Sequence, residues 1–218
     1  MFNRVLLNRM KDSVNTQLRD RQAGFRKERS CTDQIATIRI IVKQSIKWNL
    51  SRYINFIDYE KAFDSVDKTT LWKLLRHYGV PDKMVNIIWN SYDGLKGKIV
   101  HEGQLTDSFE VKIRVRQGCL LSYFLFLLMI DRIMKTSISE GKRGIQWTAR
   151  MQLHDLDFTD DLALLSHTQQ QIQEKTTNVA AVSAAVGLNI HKGKSKILRY
   201  NTPCTDPIIL DGEDLGDV

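Results

Sequence analysis

The sequence predicts an α+β fold in which an antiparallel sheet is backed by helices. The stretch from Leu153 to Ser166 has short strand-like runs on both sides of Asp160-Asp161, which predicts a β-hairpin with two acids at its tip. The segment Tyr53 to Asp58 predicts a second strand, which ends on an acid. The apolar run from Leu120 to Ile130 has 11 residues, too few to cross a bilayer, and therefore predicts a buried helix.

Basic residues are concentrated at the N-terminus. The 218-residue chain has a formal net charge of +7, and residues 1–50 alone hold 11 Lys and Arg against 4 Asp and Glu. A basic N-terminal lobe in front of a neutral remainder suits a polyanionic partner such as nucleic acid. On charge alone, a solvated helix surface is the alternative interpretation.

The cysteines indicate no structural cross-link. Cys31, Cys119 and Cys204 are far apart and have no CxxC spacing, so neither a disulfide framework nor a zinc site is predicted. This usage fits a reducing compartment, and we expect an intracellular protein of the cytoplasm or the nucleus. Arginines interrupt the apolar stretch at the N-terminus, which argues against a secretory signal, and no membrane partner is expected.

The N-terminal region is predicted to contain two helices joined by a basic turn. Apolar and basic residues from Phe2 to Met10 predict a short amphipathic helix, and a second helix, capped at Thr32-Asp33, continues to about Trp48. Arg26, Lys27 and Arg29 lie just before that second helix. Because backbone N–H groups at a helix N-terminus add to the attraction of basic side chains, we expect these three residues to bind phosphate.

Turn and cap residues divide the middle of the chain. Asp67 is predicted to cap a helix that stops at Gly79, and Pro81 to open another helix that runs to about Tyr92. The other predicted elements are strands over 98–101 and 109–115, a helix over 120–136, and a helix over 169–186 that ends at Gly187. After it, 188–200 is predicted to be a basic loop that enters a short strand. The tail from Pro203 holds five acids and no Lys or Arg, and is predicted to be peripheral.

Three acids form the candidate site. Asp58 and the pair Asp160-Asp161 are 102 residues apart, yet they belong to strands that could be neighbours in one sheet. Like charges beside a sheet core repel each other and need a cation, and Mg²⁺ is the natural candidate because it prefers carboxylate oxygens. Three such carboxylates can hold two ions for phosphoryl transfer. A polar turn whose acids are only solvated is the structural alternative.

Five motifs, in this order and spacing, resemble the reverse transcriptase of non-LTR (LINE-type) retrotransposons along nearly the whole chain. They are Gln22-Ala-Gly-Phe-Arg26 with Arg29-Ser-Cys-Thr-Asp-Gln-Ile35, Phe56-Ile-Asp-Tyr-Glu-Lys-Ala-Phe-Asp64, Arg116-Gln-Gly-Cys-Leu-Leu-Ser122, Phe158-Thr-Asp-Asp161, and Gly187-Leu-Asn-Ile190 with Lys194-Ser195. The resemblance implies a polymerase palm with partial fingers: fingers over 1–50, palm over 51–202, and an acidic tail over 203–218 toward a thumb. It also implies that the family's endonuclease domain, first part of the fingers and thumb are missing.

The resemblance also assigns metal-binding and proton-transfer roles. Asp58 and Asp160 correspond to metal ligands, Asp161 to the supporting acid, and the backbone carbonyl of Tyr59 to a further ligand. Lys194 corresponds to a proton donor for the pyrophosphate leaving group, and a solvated lysine in a basic loop is the alternative.

Three more positions correspond to contacts with substrates. Phe63 corresponds to the aromatic residue that blocks a ribose 2′-OH, with an ordinary core phenylalanine as the alternative. Gln117 and Gly118 correspond to contacts with the incoming nucleotide and the template.

The chain departs from the family pattern at four places. Thr159 stands where Ala is usual, Tyr123 where Pro is common, Arg114 where Gly is usual, and Lys27-Glu28 where a Pro-Gly turn is usual. These differences bear on whether this copy is active.

The activity that the resemblance implies is RNA-templated DNA synthesis. It would add dNTPs to the 3′-OH of a DNA primer with two Mg²⁺, Mn²⁺ being the alternative ion. One rival is an RNA-templated RNA polymerase, which the bulky Phe63 opposes. The other is a non-catalytic remnant of a mobile element that at most binds nucleic acid, favoured by the altered motifs and opposed by the intact acids. The sequence indicates no protein partner.

Overall fold

The computed structural model describes residues 2–24, 26, 29–65, 67–94, 96–110, 120–138, 144–147, 152–202, 204 and 206–218. The helices of this described part are α1 (Phe2–Asn15), α2 (Cys31–Trp48), α3 (Ala62–Ser65), α4 (Lys68–His77), α5 (Asp82–Tyr92), α6 (Leu120–Ser137) and α7 (Gln169–Ala185). The longer strands are β1 (Arg52–Ile57), β8 (Asp155–Phe158), β9 (Asp161–Ser166) and β10 (Lys196–Tyr200). The two-residue strands are β2 (Lys96–Gly97), β3 (Val100–His101), β4 (Gln104–Leu105), β5 (Phe109–Glu110), β6 (Ile145–Gln146), β7 (Gln152–Leu153), β11 (Ile209–Leu210), β12 (Glu213–Asp214) and β13 (Gly216–Asp217).

Within the described residues, the main sheet has five strands in the order β13-β10-β1-β9-β8. Strand β1 lies between β10 and β9 and is antiparallel to both, and β8 and β9 form the predicted hairpin. Only the edge strand β13 runs parallel to its neighbour in this sheet. The predicted α+β fold with an antiparallel sheet is therefore confirmed.

The sheet is covered on both faces, and the alternation of side chains along β1 decides which residue faces which layer. Tyr53 and Ile57 pack into a large core with α1 and α4 to α7, whereas Ile54 packs with Ile41 of α2 into a smaller cluster on the opposite face. Strand β9, with its unbroken run from Leu162 to Leu165, is buried on both faces, as the sequence predicted.

Helix α6 is the centre of the large core. Thirteen of its 18 residues are buried, among them the acid Asp131. A buried Leu, Ile, Phe or Met side chain contributes about 1.5–3 kcal/mol to stability, so this helix contributes a large share of the hydrophobic stabilisation. Tyr123, at the position where the family has Pro, lies half-buried in the first turn of α6.

Local capping explains several helix ends. The Asp67 side chain accepts a hydrogen bond from Thr70 N at 2.7 Å, so the predicted cap of α4 is confirmed. Helix α2 begins two residues earlier than predicted, because the Ser30 hydroxyl rather than Thr32 accepts from Asp33 N. Gly187 follows α7 with φ +87°, and a Cβ there would lie 2.8 Å from the Ser65 carbonyl, so only glycine fits this close approach.

The acidic tail is not peripheral, and that prediction is wrong. Ile208, Leu210 and Leu215 are at most 3% exposed and belong to the large core, and β13 extends the main sheet. The prediction counted charges and overlooked the apolar residues spaced between them.

Two other boundaries differ from the prediction. Helix α1 continues past Met10 to Asn15, because Val14 extends the buried stripe of Leu6 and Met10 at four-residue spacing. The strands predicted over 98–101 and 109–115 are replaced by the short pairs β2 with β5 and β3 with β4, and residues 111–115 lie outside the described residues. No helix in the described ranges is long and apolar enough to cross a membrane.

Candidate active site

Asp58 is the first residue after β1, and its backbone is held by the loop that precedes β10. The Asp58 carbonyl accepts a hydrogen bond from His191 N at 2.8 Å, and Asp58 N donates to the buried Ser195 hydroxyl at 3.3 Å. The position of this acid is therefore fixed by residues more than 130 positions further along the chain.

Asp160 lies in the two-residue turn between β8 and β9, with Phe158 paired to Asp161 across it. Thr159, the first turn residue, is buried and has φ +62°. A β-branched residue rarely adopts this left-handed region, which favours Gly, and such strain costs on the order of 1–3 kcal/mol. The predicted hairpin is confirmed, and the residue that departs from the family pattern stands at its strained position.

The sheet register brings Asp58 to the hairpin tip. The last pair between β1 and β9 is Ile57 with Leu162, so the next position in the same register sets Asp58 beside Asp161. The pKa of the Asp161 carboxyl is raised by loss of hydration and then by repulsion from Asp160 and Asp58, although its side chain reaches solvent. The three acids therefore share one negative region at the sheet edge.

The donor types at this edge suit a hard divalent cation. Carboxylate oxygens are the ligands that Mg²⁺ prefers, and a dication would relieve the repulsion that raises the pKa of Asp161. In the described ranges no group of three His, Cys, Asp or Glu side chains is placed so that it could hold a metal ion. The acids thus lie at neighbouring strand ends without forming such a group.

Lys194 is a basic neighbour of this edge. Its Nζ lies 3.2 Å from Oδ2 of Asp58, while 64% of its side chain is exposed to solvent. The ammonium group therefore forms an ion pair with Asp58 at the surface. This contact brings the predicted proton donor and a predicted metal ligand together.

Tyr59 is fixed on both its side chain and its backbone. Its buried hydroxyl is 3.0 Å from the Ser183 hydroxyl, and burial raises its pKa above the usual range for tyrosine. Tyr59 also forms an antiparallel bridge with Ile190. The two hydrogen bonds of this bridge are made by the neighbouring residues: His191 N donates to the Asp58 carbonyl, and Glu60 N donates to the Asn189 carbonyl.

The structure gives partial information on the remaining predicted residues. Arg26 is half-buried, and its guanidinium donates to the backbone carbonyls of Arg19 and Gln22, whereas Arg29 is exposed and lines a cleft with Trp147. Residues that lie outside the described part are Lys27, Gln117, Gly118, Arg114 and the side chain of Phe63; the backbone of Phe63 belongs to α3.

Sequence reasoning missed the buried ionic residues beside the hairpin. Asp155 and Asp157 of β8 are at most 1% exposed and pair with Arg19. Their spacing of two residues puts both on one face of the strand, a signal that was present in the sequence. Nothing in the sequence identified Arg19 as their partner, or His191 and Ser195 as the groups that hold Asp58.

Comparison with known families gives one match that covers most of the chain. Residues 1–205 match the family described as "Reverse transcriptase (RNA-dependent DNA polymerase)". The Pol polyprotein of the retrotransposable element R2DM of Drosophila melanogaster is 31% identical over 195 residues, which are 88% of this chain and 18% of that protein. An R2 Pol polyprotein of Popillia japonica is 26% identical over 138 residues, 63% of this chain and 23% of that protein. The chain thus spans about a fifth of the length of these relatives.

Solved structures show the same fold at low identity. The apo telomerase of Candida Tropicalis, truncated from its C-terminal domain, has a TM-score of 0.69 at 13% identity over 95% of this chain and 42% of that chain. The telomerase of the same organism in complex with a fragment of telomeric RNA has a TM-score of 0.64 at 13% identity, over 97% of this chain and 35% of that chain. The palm fold is thereby confirmed, and with the match over residues 1–205 the chain belongs to the reverse transcriptase family.

Proposed function

We propose that this chain is the palm, with part of the fingers, of an RNA-directed DNA polymerase of a non-LTR retrotransposon. It adds dNTPs to the 3′-OH of a DNA primer on an RNA template. The observation that carries the proposal is the register of β1 and β9, which sets Asp58 beside the Asp160-Asp161 turn in a chain of this family.

Asp58 and Asp160 hold two divalent ions, Mg²⁺ or alternatively Mn²⁺, with Asp161 as the supporting acid and the Tyr59 carbonyl as a further ligand. When bound, such ions stabilise both the attacking and the leaving oxygen of an in-line displacement. The chain's own residues position the reactants, since little covalent chemistry is required of a protein in phosphoryl transfer. Lys194 leaves Asp58 and donates a proton to the pyrophosphate oxygen, a role supported by its 3.2 Å contact at the site.

Substrate contacts are proposed for both lobes. Arg26, Lys27 and Arg29 bind template phosphates, supported by the net positive charge of residues 1–50. Phe63 excludes the 2′-OH of a ribonucleotide. The remaining proposed nucleotide and template contacts are Gln117 and Gly118.

A primer-extension assay tests the proposal. The purified chain, an RNA template, a DNA primer and dNTPs with Mg²⁺ or Mn²⁺ should give extension that Asp160→Asn abolishes. Asp82→Asn is the matched control, because Asp82 is an exposed acid that pairs with Arg76 on the surface. Extension that survives in Asp160→Asn would refute the assignment of the site.

A non-catalytic remnant is the second candidate function, and the strained Thr159 at the catalytic turn favours it. It predicts salt-sensitive binding of RNA–DNA duplex without extension. If Thr159→Ala, which restores the residue usual in the family, gives extension that the unaltered chain lacks, the chain is an inactivated polymerase.

A further inference from the structure

Residues 19–24, which we call the clamp segment, lie along the outer edge of the acid hairpin. Gln22 forms a parallel bridge with Asp157, and Ala23 N donates to the Asp157 carbonyl at 3.1 Å. Gln34 of α2 donates from Nε2 to the same carbonyl at 2.7 Å and to the Arg21 carbonyl at 3.2 Å. The clamp segment thus continues the sheet beyond β8 for one bridge.

Arg19 joins the clamp segment to three buried carboxylates. Its guanidinium donates to Asp155 at 2.6 Å and to Asp157, and lies 3.5 Å from Asp131 of α6. All three acids are at most 1% exposed, and buried charges of this kind are costly without a partner. Arg21 and Lys135 add one further contact each, to Asp155 and Asp131 respectively. One arginine therefore fixes β8 both to the N-terminal lobe and to α6.

Gly24 meets the catalytic turn itself. A Cβ on Gly24 would lie 2.7 Å from Thr159 N and 2.9 Å from Thr159 Oγ1, closer than real Cβ contacts. The nearest of these atoms belongs to the backbone, so a side chain there would have to displace the turn. Gly24 N is in turn held by the Oε1 atom of the buried Gln22, at 2.9 Å. The absence of a side chain at position 24 thus sets where the turn can lie.

We propose that the clamp segment positions the catalytic turn, with Arg19 and Gly24 as positioning residues for Asp160. Arg19 holds Asp157, three residues before Asp160, and Gly24 supports Thr159 directly before it. A positive φ at the first residue is a property of two-residue hairpin turns, so the strain of Thr159 belongs to the turn itself, and the clamp segment packs directly against that residue. An effect of the clamp segment on catalysis rests on the proposed function, whereas its role in holding the hairpin turn in place does not.

The test uses Gly24→Ala and Arg19→Met in the full chain, with hydrogen exchange measured by mass spectrometry. Amides of residues 156–164 should exchange about tenfold faster or more in both variants, while those of 196–200 keep their protection. Arg19→Lys should recover part of the protection, since one cation remains near Asp155. Gly103→Ala is the control: it replaces a glycine at φ +77° with no atom within 4 Å of the added Cβ, far from the hairpin in sequence.

A second readout links the clamp segment to the ion site. Mn²⁺ affinity, measured by electron paramagnetic resonance of the free ion, should fall several-fold in Gly24→Ala and stay unchanged in Gly103→Ala. Hairpin exchange that is unchanged in both Gly24→Ala and Arg19→Met, or accelerated equally in all peptides, would overturn the positioning role. If the variants lose protection only in the hairpin, and the unaltered chain binds no Mn²⁺, the positioning role of the clamp segment is supported. The absence of Mn²⁺ binding then counts only against the proposed function.

Discussion

Replacing Lys194 by Gln should tighten the binding of a divalent ion while it slows polymerisation. The Lys194 ammonium lies 3.2 Å from Oδ2 of Asp58. An ion that binds Asp58 must displace this ammonium group, and the lysine therefore competes with the ion. In the reaction, by contrast, the same lysine is the proposed proton donor to the leaving group.

The size of the competition follows from the geometry. Two unit charges 3.2 Å apart attract each other by about 1.3 kcal/mol in bulk water. Because 64% of the Lys194 side chain is exposed, screening and lost side-chain freedom reduce this to about 0.5–1 kcal/mol. Lys194→Gln should therefore lower the Kd for Mn²⁺ by about two- to fivefold. The rate of nucleotide addition should fall by about a hundredfold if the general acid is lost.

The assay is a Mn²⁺ titration followed by electron paramagnetic resonance at fixed ionic strength. Lys192→Gln is the matched control, because it removes the same charge two residues away, where Nζ contacts Glu213 rather than Asp58. Asp58→Asn should abolish Mn²⁺ binding at this site, and so shows which part of the titration reports on the ion bound by Asp58. Equal Kd values in the two lysine variants, or weaker binding in Lys194→Gln, would refute direct competition for Asp58.

Three further predictions concern stability, sugar selection and nucleic-acid binding. Burial, with repulsion from Lys175 and Arg21, lowers the pKa of His154 from 6.5 to about 4, so the unfolded chain binds an extra proton as the pH falls. Because this side chain is only half-buried, solvent screening reduces the effect, and the free energy of unfolding should fall by up to about 1 kcal/mol between pH 7 and 5. Urea denaturation of His154→Gln should show a flatter pH dependence, and an unchanged slope would contradict the assignment. Phe63→Ala should raise kcat/KM for rNTPs relative to dNTPs. An equal loss of kcat/KM with both kinds of nucleotide would instead indicate that Phe63 is an ordinary core residue. Replacing Arg26, Lys27 and Arg29 by Ala should reduce the salt dependence of RNA–DNA binding, and an unchanged slope would place the interface elsewhere.

The sequence alone determined the elements whose signals are local. The period of apolar residues and the caps depend on residues a few positions apart, which is why the Asp67 cap, the long helix α6 and the acid hairpin were predicted correctly. The motif order also identified the family before any fold was known. Charge counting misjudged the tail, since a few apolar residues such as Leu210 and Leu215 suffice to anchor a short acidic segment in the core.

Only the tertiary structure decided which distant groups meet. The register that puts Asp58 beside Asp161, and the pairing of Arg19 with Asp155 across 136 positions, come from packing of the whole chain. Periodicity tells which face of a strand is buried, but it carries no information on the neighbouring strand or the partner of a buried charge. The clamp segment could not be predicted from the sequence for the same reason. Glycine is required at position 24 because Thr159 lies close to it, and this contact exists only in the folded state.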